Sequence, residues 1–438
     1  MAEMKDSGIA WINTIPKDWK LKKIKYTLQN RNENNNPIRS RDILSLTAKQ
    51  GVIPLEEKEG GGNKPKEDYS AYKLAYPNDI VMNSMNVLSG SVGLSKYFGC
   101  VSPVYYMLRP INKNDDVRYY NYIFQTTVFQ RSLLGLGNGI LMKESDNGKL
   151  NTIRMRIPLD KLGNLFIPVP NSTTQKKISD YLDGIIPEID VLLADIEKQI
   201  ETLEEYKKSI ITEAVTKGLD PDVEMKDSGI EWIGMIPKEW ECKKIKYVTN
   251  LSRGIFGHRP RNDPRYYDGE YPFIQTGDVA CATKVITNYS QTLNELGKKV
   301  SKEFKKGTIA LTIAANVGDV SILGFNAYFP DSIMAVIPHK EIDNMYFYYI
   351  LSIMKSEFLR VAIINTQLNL NVERVGNLYI PITFDKNKQK EIVKYLDEKC
   401  AEIDGAIEEK KEQSEVLDQY KKSLIYEYVT GKKEVPED

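Results

Sequence analysis

Two stretches of the chain carry apolar residues at spacings of three and four, which is the pattern of an amphipathic helix. The first stretch has Ile178, Leu182, Ile185, Ile189, Leu192, Ile196, Leu203, Tyr206 and Ile210. The second has Ile392, Leu396, Ile403, Ile407, Leu417, Tyr420 and Leu424. Charged residues fill the positions between them, as on the solvated faces of a coiled coil. The pattern predicts two long helices, and each is the nearest candidate to cover the apolar stripe of the other.

Pro187 lies within the first of these stretches. It is expected either to kink the helix or to begin its long part, since proline is tolerated in a first helical turn. The second stretch has Ala401 at the equivalent place and no break. A continuous helix from Gln175 to Lys217 would be roughly 65 Å long at about 1.5 Å per residue.

The longer blocks between the helices read as mixed and strand-rich. Short β-branched runs bounded by Gly, Pro and Asn occur at 42–54, 77–87, 307–324 and 332–338. Helical patterns lie between them at 118–134 and 344–363. The fold class predicted from these patterns is α+β.

Each half of the chain begins and ends with segments that are repeated in the other half, and we call these repeated segments the frame. Residues 4–26 and 225–247 are identical at 17 of 23 positions and end in "KKIKY" both times. "GNLFIP" at 163–168 corresponds to "GNLYIP" at 376–381. The two helical stretches also match, and the number of residues between equivalent positions is constant and equal to the separation of Gln175 and Gln389. Residues 27–162 and 248–375 show no convincing similarity. The frame is therefore duplicated, while the contents of the frame differ.

The charge is balanced overall but unevenly distributed. Residues 1–160 hold 23 Lys and Arg against 16 Asp and Glu, a net of +7, and residues 221–380 hold 19 against 18, a net of +1. The helical blocks 161–220 and 381–438 hold 7 against 11 and 11 against 15, a net of −4 each. A basic block can meet phosphate, but +7 over this length is a modest signal.

Length and composition exclude several classes of protein. A chain of 438 residues predicts two to four domains. No run of eighteen apolar residues occurs and the polar N-terminus carries Asp6, so neither a transmembrane helix nor a secretory signal is expected. The four cysteines lie far apart without a CxxC pair, so we expect no disulfide, no zinc site and a cytoplasmic location.

The motifs of several enzyme classes are missing from the sequence. It has two histidines, no G-x-x-x-x-G-K-[ST] loop, no G-x-G-x-x-G after a strand and no Asn-Pro-Pro-aromatic motif of amino-methyltransferases. The sequence therefore predicts a chain without catalytic activity or cofactor of its own.

The duplicated frame, the "SLTAKQGVIP" segment at 45–54, the "FIQTGDV" segment at 273–279 and the repeated helical stretches resemble the specificity subunit of type I restriction–modification systems. The resemblance spans nearly the whole chain. It implies a target recognition domain at 1–165, a helical region at 166–222, a second recognition domain at 223–378 and a second helical region at 379–438. We expect the two helical regions to pair as an antiparallel coiled coil with pseudo-two-fold symmetry.

The resemblance also implies the partners. They are double-stranded DNA, two adenine methyltransferase subunits and restriction or translocase subunits. S-adenosylmethionine, ATP and Mg²⁺ would be carried by those subunits and not by this chain. Each recognition domain would read one half of a bipartite site, and two readers on one rigid rod would fix the spacing between the halves.

Candidate DNA contacts are polar residues beside turns and strand ends of the two recognition domains. In the first domain they are Lys49, Gln50, Asn83, Ser84 and Asn86. In the second they are Arg253, His258, Arg259, Arg261 and Arg265 of one Pro- and Gly-rich loop, together with Gln275, Thr276 and Asn316. Arg and Lys suit guanine or phosphate, and Asn and Gln suit adenine. The alternative for each is a solvated loop or a strand-ending turn without a ligand.

Two other functions remain open at this point. One is a stand-alone DNA-binding protein without methyltransferase partners, although a nearly neutral second domain argues against strong solitary binding. The other is a coiled-coil scaffold whose β domains bind proteins.

Overall fold

The computed structural model describes residues 3–47, 50–58, 65–139, 143–144, 150–151, 155–364 and 368–436. The chain forms two compact units. Unit 1 combines Met1–Glu197 with Glu412–Asp438, and unit 2 is Lys198–Lys411. These units cut across the four predicted segments, because each unit contains part of both long helices.

The first long helix runs from Ser172 to Lys217 and the second from Lys386 to Val429. Pro187 lies inside the first helix, so of the two alternatives left open by the sequence it does not begin the helix. No helix in the described part of the chain is both long and apolar enough to cross a membrane.

Within each unit, the repeated segments pair with one another as short β-strands. In unit 1, Met4–Asp6 pairs antiparallel with Thr14–Pro16, and Lys20–Lys23 pairs antiparallel with Phe166–Val169. In unit 2 the same pairings join Met225–Asp227 to Met235–Pro237 and Glu241–Lys244 to Tyr379–Ile382. The frame thus closes around the non-repeated contents, which explains why similarity appears at both ends of each half.

The contents of unit 1 surround a four-stranded antiparallel sheet in the order Leu28–Asn30, Tyr105–Pro110, Ile80–Asn83, Val92–Leu94. Shorter strands are Leu44–Thr47 with Gly51–Pro54, Lys73–Ala75 with Gly99–Val101, Asn138–Gly139 with Met155–Arg156, and Lys143–Glu144 with Leu150–Asn151. The helices of the contents are Val117–Gln125, Thr127–Ser132 and Leu159–Gly163.

The contents of unit 2 surround a five-stranded sheet in the order Thr249–Arg253, Ile333–Pro338, Ile309–Thr312, Val320–Leu323, Val285–Ile286, in which the last pair is parallel. Shorter strands are Tyr267–Pro272 with Thr292–Leu293, Glu303–Phe304 with Ala327–Tyr328, and Ile363–Ile364 with Leu368–Asn369. The helices are Thr276–Cys281, Glu295–Lys299, Asn344–Ser352, Lys355–Val361 and Val372–Gly376.

The long helices pair antiparallel within each unit. In unit 1, Tyr181 of the first helix lies 4.7 Å from Tyr428 of the second between ring centroids, and Asp190 pairs with Lys421. Residue numbers rise along one helix while they fall along the other. In unit 2, Lys207 pairs with Asp404. The predicted antiparallel pairing is confirmed by these contacts.

Three residues of the predicted apolar stripes are not covered by the partner helix. Leu192, Tyr206 and Tyr420 are 54%, 57% and 47% exposed, so the prediction that they are covered is wrong. A straight helix has 3.6 residues per turn, and a stripe with an average spacing near 3.5 drifts away from its partner along the helix.

Each frame is closed by the end of the helix from the other half. Gly431, after the second helix, packs against Pro16 and Trp19 of the first frame. Gly218, after the first helix, packs against Pro237 and Trp240 of the second frame. Both glycines have positive φ (70° and 77°), the conformation that ends many helices. Each unit therefore needs residues from both halves of the chain.

Candidate nucleic-acid interface

Two arginines of the predicted loop in unit 2 pair with one carboxylate that the sequence analysis did not select, and a third donates to the backbone carbonyl of the same residue. Arg261 and Arg259 pair with the two oxygens of Asp331, at 3.5 Å for Arg259. The Arg253 Nε donates to the Asp331 carbonyl at 2.5 Å. Asp331 lies in the turn before strand Ile333–Pro338, 70 residues after Arg261. The arginines are thus held in place while their side chains remain exposed.

Arg265 and His258 share a second carboxylate, Asp263. The distance is 2.6 Å from Arg265 Nη2 and 3.1 Å from His258 Nε2 to Asp263 Oδ2. The His258 ring stacks on Tyr266 with centroids 4.1 Å apart. Hydrogen bonds from the Arg265 side chain and backbone hold the pKa of Asp263 well below its usual range, so it stays a carboxylate.

Buried aromatic residues support this loop from below. Phe256 is 3% exposed and stacks on Tyr267 with centroids 5.7 Å apart, beside Phe273 at 5.4 Å. Gly254 approaches the carbonyls of Phe329 and Pro330 so closely that any side chain there would collide with them. The loop is anchored at its base, which reduces the conformational entropy lost on binding a ligand.

The other predicted contacts of unit 2 lie at the start of a helix and in a turn between two strands. Gln275 precedes helix Thr276–Cys281, and its Nε2 donates to Gln291 Oε1 at 2.9 Å. The Gln275 backbone N–H donates to the Asp278 carboxylate at 2.7 Å, and this hydrogen bond caps the N-terminus of the helix. Asn316 is exposed in the turn between Ile309–Thr312 and Val320–Leu323. Within the described residues, Gln275, Thr276 and Asn316 form no side-chain hydrogen bond with Asp331 or Asp263.

The predicted contacts of unit 1 differ in accessibility. Lys49 lies outside the described residues. Gln50 is exposed at the tip of the hairpin Leu44–Thr47/Gly51–Pro54, and Asn86 is exposed as well. The Asn83 side chain accepts a hydrogen bond from the Met85 backbone N–H at 3.0 Å.

Ser84 is buried, unlike Gln50 and Asn86. It is 0% exposed, and its hydroxyl donates to the Val104 carbonyl at 2.7 Å. A hydroxyl that is buried and already paired is not presented to a ligand in this structure, so the geometry favours a structural role for Ser84.

Sequence reasoning missed an arginine-rich segment in unit 1. Arg31 follows strand Leu28–Asn30, as the loop of unit 2 follows Thr249–Arg253. Its guanidinium carbon lies 4.1 Å from the Tyr76 ring centroid, and its Nε lies 3.1 Å from Asp79 Oδ2. Arg39 lies over the same ring at 5.8 Å. The signal was available, since the segment holds three arginines directly after the first repeated motif.

Residues of the repeated frame hold the contents on the long helices. Asp183 accepts hydrogen bonds from Tyr122 and Arg118, each at 2.6 Å. Its counterpart in the second copy, Asp397, accepts them from Tyr349 at 2.6 Å and Lys284 at 2.5 Å. Burial, followed by the hydrogen bond to the carboxylate, raises the pKa of both tyrosines, so each remains a donor.

The described residues contain no cluster of three or more His, Cys, Asp and Glu side chains suited to a metal ion. The candidate interface offers charge and hydrogen bonding, from arginines held on carboxylates and beside aromatic rings.

Comparisons with known proteins agree with the resemblance found in the sequence. Residues 237–420 match the family described as type I restriction modification DNA specificity domain. The chain is 26% identical to the putative type I restriction enzyme MjaX specificity subunit of Methanocaldococcus jannaschii, covering 96% of this chain and 95% of that protein. It is 24% identical to the MjaVIII specificity subunit of the same organism over 61% and 62% of the two chains.

Among solved structures, the fold matches a chain described in connection with the complex assembly and conformational transition of the type I R-M system. The TM-score is 0.68 at 12% identity, over 95% of this chain and 99% of that chain. The family match at residues 237–420, these relatives along its length and the shared fold thus make the chain similar to the specificity subunits of type I restriction enzymes.

Proposed function

We propose that this chain is the DNA sequence-recognition subunit of a type I restriction–modification complex, in which each recognition domain reads one half of a bipartite site. The observation that carries the proposal is a pair of frames with matching internal contacts around unlike contents. A duplicated support with different contents suits two readers that must be held alike but must recognise different sequences.

The matching contacts extend to two fully buried glutamines. The Gln175 side chain accepts a hydrogen bond from the Asp116 backbone N–H at 3.0 Å and donates to the Pro170 carbonyl at 3.0 Å. Gln389, its counterpart in the second copy, accepts from the Asp343 N–H at 2.6 Å and donates to the Thr383 carbonyl at 2.8 Å. These two repeated glutamines therefore serve as support, and we assign the reading of the base sequence to the non-repeated residues.

The loop at 253–265 is the proposed reader of one half-site. A guanidinium fork matches the two acceptors on the major-groove edge of guanine, and phosphates accept from arginine as well. Asp331 holds Arg259 and Arg261 close together before DNA arrives, so less side-chain entropy is lost on binding. The equivalent segment of unit 1, with Arg31 and Arg39, is the proposed reader of the other half-site.

Two methyltransferase subunits are the proposed protein partners on the long helices. Tyr206 and Tyr420 are repeat-related and remain 57% and 47% exposed. Exposed tyrosines are enriched at protein interfaces, and two equivalent ones suit two copies of one partner. Restriction or translocase subunits would join this complex. S-adenosylmethionine, ATP and Mg²⁺ would act on the partner subunits, and this chain would contribute no catalytic residue.

The test is methylome sequencing of cells that express the chain together with its methyltransferase. Methylation is expected at adenines of a bipartite site and should disappear when the chain is deleted. Arg261→Ala should relax the sequence of one half-site only, since a lost guanine contact costs about 1–3 kcal/mol at one position. Arg360→Ala removes an exposed arginine paired with Glu357 outside the loop and should leave the site unchanged. Methylation that does not depend on the chain would overturn the proposal.

A further inference from the structure

The two frames carry the same basic and aromatic patch. In the first copy, Lys23 lies over the Phe166 ring at 5.4 Å and Lys25 over the Tyr26 ring at 5.2 Å. In the second copy, Lys244 lies over the Tyr379 ring at 5.3 Å and Lys246 over the Tyr247 ring at 5.3 Å. We call Lys23, Lys25 and Tyr26, and their counterparts Lys244, Lys246 and Tyr247, the frame patches.

Each frame patch has one half-buried lysine, Lys23 or Lys244, and two exposed residues, and its lysines are not neutralised by the carboxylates around them. Tyr26 and Tyr247 are 68% and 64% exposed, and Lys25 and Lys246 are exposed as well. Among the described residues, none of the four lysines forms an ion pair with a carboxylate. Lys246 Nζ instead donates to the neutral Asn377 side chain at 2.9 Å. Exposed side chains like these contribute little to folding, so their presence in both copies points to a ligand.

That ligand has to be the same at both copies, although the sequences read by the two domains differ. The phosphate backbone of DNA meets this requirement, because it is anionic and identical at every half-site. Lysine ammonium groups and tyrosine hydroxyls are regular phosphate donors, whereas lysine is depleted from the cores of protein–protein interfaces. Resting on the proposed function, we infer that the frame patches bind DNA phosphates independently of sequence.

The position of the second frame patch suits this role. Strand Thr249–Arg253 begins two residues after Tyr247 and ends at Arg253, the first residue of the proposed reader loop. Six residues of extended chain span roughly 20 Å at about 3.3 Å per residue. One turn of DNA is about 34 Å long, so a single bound duplex can reach both the loop and the patch.

The test uses the full-length chain and a mixed-sequence DNA duplex, because a phosphate site needs no target sequence. Lys23→Gln/Lys25→Gln, Lys244→Gln/Lys246→Gln and the quadruple variant are compared by fluorescence anisotropy over a range of salt concentrations. Each pair should weaken binding roughly fivefold and lower the slope of log K against log salt by about 0.9 per lost contact. Lys198→Gln/Lys208→Gln removes the same charge from exposed lysines of the first long helix, outside both frame patches and both recognition domains, and should leave the slope unchanged.

Circular dichroism melting shows whether each variant is folded. Unchanged affinity and salt slope in the folded quadruple variant would overturn the inference. Loss of methyltransferase binding with intact DNA binding would overturn it too, and would assign the patches to the protein partner. The proposed function is tested separately by the methylome, since a failed patch leaves the bipartite methylation motif in place.

Discussion

Lys207 of the first long helix forms an ion pair with Asp404 of the second, with 2.6 Å between Nζ and Oδ1. The repeat places Lys421 at the position of Lys207 and Asp190 at the position of Asp404, and these two residues also form an ion pair. The same ion pair between repeat-related residues therefore forms twice. The first helix supplies the lysine in unit 2, and the second helix supplies the lysine in unit 1. This reciprocity shows that the two helices meet through equivalent positions within each unit.

The buried glutamines of the frame should matter for stability in both units. Gln175→Leu or Gln389→Leu keeps the volume but leaves a buried N–H and a buried carbonyl without partners, at a cost of about 1–3 kcal/mol for each group. Denaturant unfolding measures the loss, and hydrogen exchange should locate it in unit 1 for Gln175 and in unit 2 for Gln389. Gln419→Leu, on an exposed position of the second helix, should change stability by less than about 0.5 kcal/mol. Equal stability of all three variants would contradict the assignment.

Tyr206 and Tyr420 should be needed for assembly and not for folding. Tyr206→Ala and Tyr420→Ala should each keep the melting temperature of the chain, because more than two fifths of each side chain is exposed. Each single variant should bind one methyltransferase subunit in place of two, and the double variant none. Analytical ultracentrifugation of the purified complexes gives the stoichiometry. A double variant that still binds two subunits would move the docking surface elsewhere.

Much of the architecture follows from local pattern. The spacing of apolar residues predicted both long helices, and the β-branched runs predicted strands such as Ile309–Thr312 and Ile333–Pro338. The repeat predicted equivalent helix contacts, which Lys207 and Lys421 confirm. These features depend on residues close in sequence or on the repeat itself, so a single sequence is sufficient to find them.

Other features depend on contacts between distant residues. Asp331 could not be selected, because its turn is 70 residues from Arg261 and carries no motif of its own. The burial of Ser84 depends on the Val104 carbonyl, 20 residues away. The spacing of apolar residues also does not reveal that Tyr206 stays exposed, because the partner helix decides which part of the apolar stripe is covered. The predicted DNA contacts themselves stay predictions.

Asp331 prepares Arg259 and Arg261 for the target half-site, but its negative charge should weaken the binding of the reader loop to DNA without the target sequence. Asp331→Asn removes one negative charge and releases Arg259 and Arg261, so affinity for mixed-sequence DNA should rise roughly threefold while discrimination at one half-site falls. Asp319→Asn is the matched control, because it makes the same charge change beside Lys355 outside the loop. Anisotropy titrations measure both variants. If the two variants tighten binding equally, net charge alone explains the effect and Asp331 has no special role.

The reciprocal pairing also predicts the behaviour of the first half alone. The fragment 1–222 contains both Lys207 and Asp190, so two copies can form the ion pair twice, with Lys207 of each facing the partner's Asp190. Such an interface places the same surface on both chains. Gly218 of one copy would then close the frame of the other at Pro16 and Trp19, as Gly431 does in the intact chain. The dimer would carry two identical readers, and with methyltransferase it should methylate an inverted repeat of the first half-site.

One residue should limit the stability of that dimer. Tyr428 is 0% exposed in the core of unit 1, against Tyr181, whereas the repeat-related residue of the first helix is Ala214. The fragment dimer would place alanine where the intact chain has this tyrosine, and losing a large buried aromatic side chain costs about 3–5 kcal/mol. Ala214→Tyr in fragment 1–222 should therefore tighten the dimer, as measured by sedimentation equilibrium.

The same substitution, Ala214→Tyr, should destabilise the full-length chain. There Ala214 is 2% exposed in the core of unit 2, in one buried cluster with Trp240, so a tyrosine would overpack that core by about 1–3 kcal/mol. Thermal unfolding of the full-length variant measures this loss. A fragment that stays monomeric with either residue, or a tyrosine that destabilises both proteins, would show that the helix ends of the two halves are not interchangeable.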